Sequence, residues 1–244
     1  MSGIDESLIL CEGFDDRDFL AGWFAHACGW RDYSQIPAPK MFMRKQVPPR
    51  LFLLDSPAGT HRIGILPVGG RERLGDQIRR VLDEPVTLRS LTACADIDQP
   101  STAGSTAVVD LVRTALQALG AATALAPPWS VNGVQITAVS IGAGSVAIPG
   151  LDSKERLERL VLTAFARAWP ARWATLQQWL ANIPDGTGDR CRAAHWSVMA
   201  GWFPDGGCSD YLRRAIWQDS AMREQLTRLL AQTGLLEVTR RLTT

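Results

Sequence analysis

Three carboxylates occupy positions where a sheet would bring them together. Glu12 closes the short apolar run Ser7-Leu-Ile-Leu-Cys11, and Asp96 and Asp98 follow another apolar run that ends at Cys94. Residues two apart in an extended segment point to the same side, so Asp96 and Asp98 face one place together. In an open sheet of parallel strands, the ligand crevice lies beyond the carboxyl ends of the strands. Three acids converging there repel one another unless a divalent cation neutralises them. Mg2+ takes one or two carboxylates and keeps waters that substrate phosphates can replace. Helix capping is the alternative, because Asp and Glu favour first turns. Capping accounts for Asp15 and Asp16 but not for three acids at sheet ends.

The charge pattern bears on the same question. The 26 Lys and Arg nearly cancel the 25 Asp and Glu, leaving +1. That balance excludes a globally basic nucleic-acid coat and an acidic disordered tail. The charge is not evenly spread. Residues 1–33 carry seven acids against two bases, and residues 40–89 carry ten bases against five acids. An acidic segment beside a basic one suits a cation-plus-phosphate site; a pair of solvated faces is the plain alternative. The bases are almost all Arg, with Lys only at Lys40, Lys45 and Lys154.

The elements that must position these acids read as follows. Residues 7–11 form a buried strand, and 14–28 show apolar residues at helical spacing, with Gly29 as a C-cap. Five prolines between 33 and 60 mark an irregular insertion, with a hairpin expected from 40–46 and 50–55. Further strands are expected at 62–66, 86–94 and 133–141, the last continuing into 145–148. Helices are expected at 72–82 and 105–119. This alternation predicts an α/β fold with a mostly parallel, Rossmann-like sheet and flanking helices over residues 1–150. Residues 151–244 read as a helical region packed on that core, with helices at 154–168, 170–181, 190–202, 211–217 and 222–230.

Other candidates carry less chemistry. The five cysteines are odd in number and scattered, so no disulfide framework is implied. Cys191, His195 and Cys208 lack the spacing and the fourth ligand of a zinc site. His195, between Ala194 and Trp196, reads as a core residue. The tail tryptophans 169, 173, 179, 196, 202 and 217 read as core rather than as a base-stacking platform. Pro67-Val-Gly-Gly-Arg-Glu-Arg is not a P-loop, because no G-K-[ST] follows, so no intrinsic ATP hydrolysis is expected. The chain opens with acids, and no apolar stretch reaches the roughly 18 residues of a membrane span. The expectation is a cytoplasmic protein without membrane contact.

Leu8-Ile-Leu-Cys-Glu12-Gly13-Phe-Asp-Asp16, then Pro67-Val-Gly69-Gly70, then Asp96-Ile-Asp98 resemble a Toprim domain. This is the metal-binding module of topoisomerases, bacterial primases, recombination factors and overcoming-lysogenization-defect (OLD) nucleases. The resemblance covers about residues 7–141. The tail, through Leu157-Glu158-Arg159-Leu160 and residues 192–200, resembles small bacterial proteins with a Toprim-like core.

The resemblance implies roles residue by residue. Glu12 would be the catalytic carboxylate, as general acid/base or metal ligand. Asp96 and Asp98 would hold Mg2+ or Mn2+, with Asp16 assisting. Gly13, Gly69 and Gly70 would let backbone approach the metal or phosphate. Glu158 would be a further acid for a second metal; read from its helix alone it faces solvent. Arg192 would stabilise charge on a scissile phosphate; a surface salt bridge is its alternative. Asp98 runs into Gln99-Pro100, which leaves few ligands for a second metal. With only Tyr33 and Tyr211 present, no topoisomerase tyrosine can be placed.

The expected function is a metal-dependent phosphodiesterase, a nuclease acting on DNA, with a partner ATPase in genome maintenance or phage defence implied by OLD-type systems. Oligomerisation is left open. The competing readings are a non-catalytic module binding nucleic acid or protein on a Toprim scaffold, and nucleotidyl transfer or nucleotide hydrolysis in the same crevice.

Overall fold

The computed structural model describes residues 4–32, 51–83, 87–96, 106–121, 126–146, 148, 151, 154, 156–182, 189–204 and 206–243. β1 (Asp5–Cys11) leads into α1 (Phe14–Gly22), which runs on through a π turn (Trp23–Ala27). Next come β2 (Arg31–Asp32), β3 (Phe52–Asp55), β4 (His61–Pro67), a 3-10 turn (Arg71–Arg73) and α2 (Leu74–Asp83). They are followed by β5 (Ser90–Ala95), α3 (Thr106–Ala118), the hairpin of β6 (Trp129–Val131) and β7 (Val134–Ser140), and a 3-10 turn (Ile141–Gly144). The remaining described elements are helical. They are α4 (Leu157–Ala168), α5 (Pro170–Ala181), α6 (Arg190–Trp202) and α7 (Cys208–Asp210), a second π turn (Tyr211–Ala215), then α8 (Ile216–Gln218), α9 (Ser220–Leu230) and α10 (Leu235–Thr243).

The described strands form one sheet in the order β2-β3-β4-β1-β5-β7-β6. The inner strands β4, β1, β5 and β7 are mutually parallel. β3, β2 and β6 add antiparallel edges. β1 is covered on both faces, which is why it reads as an unbroken apolar run rather than an alternating one. Leu8 and Leu10 point into one core layer, with Leu74 and Ile78 of α2 and Val112 and Leu116 of α3. Ile9 and Cys11 point into the other, with Phe19 of α1 and Leu160 and Phe165 of α4. The C-terminal helices and α1 therefore share one layer. Its centre is Trp217, whose ring lies 5.1 Å from Phe19 and 5.9 Å from Trp23. Burying a large side chain of this kind contributes about 1.5–3 kcal/mol.

The α/β architecture is as the sequence predicts, with differences in detail. The 40–46 arm of the expected hairpin lies outside the described residues; β3 in the other arm pairs with β4. The last parallel strand does not continue into 145–148, because the chain leaves the sheet at Ser140 in a 3-10 turn. β6 and α10 were not anticipated. Trp217 is fully buried, but Trp179 (47% exposed) and Trp196 (54% exposed) are not core residues, because α5 and α6 turn these positions to solvent. Among the described residues no helix is long and apolar enough to cross a membrane.

Gly22 marks the closest approach of α1 to the second π turn. A Cβ there would lie 2.6 Å from the Arg213 carbonyl oxygen and collide with the Trp217 indole. Gly22→Ala should therefore destabilise the fold by about 1–3 kcal/mol through overpacking. Urea denaturation measures it, and an unchanged midpoint would contradict this account of the contact.

Candidate functional site

The connection after β1 leads to β4 on one side, and the connection after β5 leads to β7 on the other. The C-terminal ends of β1 and β5 thus flank the point where strand order reverses, the place where open α/β sheets leave a crevice. Glu12 follows β1 and Asp96 follows β5, on neighbouring strands whose last paired residues are Cys11 and Cys94. The end of β1 is fixed by backbone. Gly69 and Gly70 both donate N–H to the Glu12 carbonyl at 3.0 Å, and Val68 donates to Cys11 at 2.8 Å. Gly69 (φ +84°) and Gly70 (φ +131°) adopt a turn that other residues resist. Gly13 is extended, a conformation open to any residue.

Two hydrogen bonds assemble the acids. The Asp16 carboxylate accepts the Gly13 N–H at 2.8 Å, closing the first turn of α1. This is the capping role open to Asp16 from the sequence, and it leaves the side chain within electrostatic reach of Glu12. The Asp96 carboxylate accepts the Leu157 N–H at 3.0 Å. That bond plants the first turn of α4 on the sheet edge and brings the next residue, Glu158, to the same place. Glu158 is accordingly not a solvent-facing helix residue: its side chain is 14% exposed.

The acids repel one another. Burial first, and then the charges of Glu12, Glu158 and Asp15, push Asp16 up to about 7, against the bond from Gly13. Burial, then Asp16, Glu158 and Glu12, hold Asp96 well above the usual carboxylate range, against the bond from Leu157. Four carboxylates from three segments therefore act on one another at the switch point. Cations stand at the margin. Arg192 Nε lies 3.6 Å from Glu158, combining a salt bridge with a guanidinium that is 62% exposed. Arg156, buried, reaches Glu158 at 3.9 Å and Asp189 at 2.8 Å. Asp189 in turn caps α6 by accepting the Arg192 N–H at 2.9 Å.

Asp98 lies outside the described residues. The donor set is all carboxylate oxygen, the ligand type of Mg2+ and Mn2+, and a divalent cation would offset the burial and the repulsion that raise Asp16 and Asp96. As placed, no three His, Cys, Asp or Glu among the described residues stand close enough to form a coordination sphere. Arg156, and the Arg71 and Arg73 that follow the Gly69-Gly70 turn, were not singled out from sequence. The arginines after a strand-end glycine turn were the available signal; Arg156 offered none. The sequence expectation for His195 holds, since it is buried beside Tyr211 at 5.3 Å, and burial drives its pKa down to about 4.

No family model and no curated protein matches the sequence. The chain is similar to a solved structure, hypothetical protein PH0156 from Pyrococcus horikoshii OT3. The two are 18% identical over 99% of this chain and 100% of that one, with a TM-score of 0.76. A protein with unknown function from Thermoplasma acidophilum aligns at 10% identity over 98% of this chain and 89% of that one, with a TM-score of 0.26. The first establishes the fold as α/β with a mostly parallel sheet flanked by helices; the second carries no argument.

The raised acids make a prediction about stability. The native Asp16 carboxyl holds a proton that the unfolded chain releases near 3.8, so between about pH 4 and 7 the native state binds more protons. Stability must fall as pH rises through that window, and Asp96 acts in the same direction. In EDTA, urea unfolding should show a loss on the order of 2–4 kcal/mol from pH 4.5 to 7.5. Asp16→Asn, which keeps an acceptor for Gly13, should remove much of it. A pH-independent wild type would count against a buried repulsive cluster.

Proposed function

We propose that this chain is a Mg2+- or Mn2+-dependent phosphodiesterase of Toprim type that cleaves DNA. The observation that carries the reading is that Glu12, Asp16, Asp96 and Glu158 lie within electrostatic reach of one another at the switch point of a parallel sheet, with raised Asp16 and Asp96 and an exposed Arg192 beside Glu158. Structural stability does not call for four mutually repelling acids in one crevice, whereas a cation-dependent reaction does.

Asp96, with Asp98, would hold the cation, and Glu158 would extend the same donor set. When bound, the cation supplies charge neutralisation at phosphoryl oxygens and a water of lowered pKa. Glu12 takes the proton of the attacking water as general base. Asp16 fixes the Gly13 backbone next to Glu12 and orients the segment that carries it. Arg192 neutralises charge that develops on the phosphate. Arg71 and Arg73, after the Gly69-Gly70 turn, favour approach of a polyanion. The partner ATPase, and the setting in genome maintenance or phage defence, rest on the OLD-type resemblance alone.

A second reading, a non-catalytic module that binds nucleic acid or protein, draws on Trp179 and Trp196, which turn apolar surface to solvent on the helical tail.

Supercoiled and single-stranded DNA incubated with Mg2+ or Mn2+ tests the proposal. Wild type should cleave, and EDTA should abolish cleavage. Glu12→Ala should lower the rate by roughly 10²–10⁴-fold, the range for loss of a general base. Asp96→Asn should be at least as damaging, and Arg192→Ala should cost about 10–100-fold. A Glu12→Ala protein as active as wild type ends the nuclease reading. DNA binding without cleavage by any divalent ion favours the second one.

A further inference from the structure

On the flank of the helical layer lies a cavity of about 600 Å³. Its described lining includes none of Glu12, Asp16, Asp96, Glu158 and Arg192. Its volume falls in the 300–1,000 Å³ range of small-molecule sites and is far larger than a lone inorganic anion needs. Both π turns border it. Trp23–Ala27 supplies Ala25 and His26, and Tyr211–Ala215 supplies Arg213 and Arg214. Such turns give up regular helical hydrogen bonding and are frequent at functional sites. Here each one contributes two residues to the cavity wall.

The wall has a polar side and an apolar side. On the polar side Arg213 Nη2 is held by Asp32 at 2.7 Å, and Arg214 Nη2 by Asp210 at 2.9 Å. Arg213 also lies over the Phe52 ring at 5.0 Å, and Arg17 covers that ring at 3.9 Å. The two guanidiniums are thus oriented in advance, each bonded to its aspartate through one nitrogen, with further donors for a second acceptor. Burial, and then Arg223, Arg213 and Arg214, keep His26 below its ordinary pKa. On the apolar side, the buried Ala21 and Leu54 and the half-buried Ala25 close the wall with hydrocarbon.

We propose that this cavity binds a nucleoside phosphate, with the phosphate on Arg213 and Arg214 and the base against the Ala21–Ala25–Leu54 side. Guanidiniums fit phosphate oxygens through paired donors. Asp32 and Asp210 accept hydrogen bonds from ribose hydroxyls or base amino groups. The site stands independently of the phosphodiesterase reading, since it shares no residue with that crevice and needs no divalent cation.

Calorimetric titration of the full chain in EDTA with AMP, adenosine and inorganic phosphate, each up to 5 mM, tests it. AMP should bind, and adenosine and phosphate should bind at least tenfold more weakly. Arg214→Ala, at a side chain 54% exposed, should weaken AMP at least tenfold with little change in melting temperature. Arg213→Ala should do the same, and Glu12→Gln should leave AMP affinity unchanged. No AMP binding, AMP affinity indifferent to Arg214→Ala, or phosphate binding as tightly as AMP would each overturn the proposal. Loss of AMP binding in Glu12→Gln would move the nucleotide to the carboxylate crevice and overturn it too.

Discussion

The bond from the Leu157 N–H to the Asp96 carboxylate joins the helical C-terminal region to the sheet at the carboxyl end of β5. Helix N-termini leave backbone donors without intrahelical partners and favour negative charge. β5 is followed by an aspartate, and the first residue of α4 donates to it. The position of the C-terminal helices follows from this docking together with the apolar contacts of Leu160 and Phe165 against the sheet. Without it, Glu158 would have no reason to sit beside Asp96, and Arg156 and Arg192 would have no acid to meet at the sheet edge.

The charge asymmetry of the sequence acquires a different meaning in the fold. The acidic first segment is divided between the two ends of β1, about 20 Å apart for a seven-residue strand. At the near end, Asp5 pairs with Arg89 at 2.8 Å and Glu6 lies 3.7 Å from Arg62. Both arginines come from the basic middle segment. That end is an internal settlement of opposite charges. At the far end, Glu12 and Asp16 face other acids, and among the described residues the basic segment contributes Arg71 and Arg73 after the Gly69-Gly70 turn. The proximity in sequence of acidic and basic stretches therefore did not itself indicate a cation-plus-phosphate site; the two ion pairs of the near end tie β1 to β4 and to the residue before β5.

The legible part of the site is the part carried by strand ends. A strand buried on both faces must be apolar throughout, so the first charge after it marks its carboxyl end, as at Glu12 and Asp96. The parallel order of the strands then brings those ends together. Glu158 could not be read this way. On α4 its spacing is that of a surface residue, and only the distant acceptor Asp96 turns it inward. α10 was legible from the helical spacing of Leu235, Val238 and Leu242, all buried. β6, at three residues, is too short for any periodicity to register. The exposed Trp179 and Trp196 show the opposite failure: helical spacing gives a face, but which face meets the core depends on partners the sequence does not name.

Capping does not by itself explain why these residues are acids rather than amides. Gly13 and Leu157 need an acceptor, and Asn at positions 16 and 96 would supply one without the charge. Helix N-termini repay part of the cost of a carboxylate, typically 0.3–1 kcal/mol each. Desolvation and mutual repulsion outweigh that here, since both groups stand above their ordinary pKa despite the bonds they accept. The charge is thus unfavourable to the isolated fold at neutral pH: proton uptake relieves it, and the phosphodiesterase reading requires a bound cation to relieve it instead. A ligand that is positive, small and oxygen-seeking meets that requirement. An amide-substituted crevice would be the more stable protein and would have nothing to hold such a ligand.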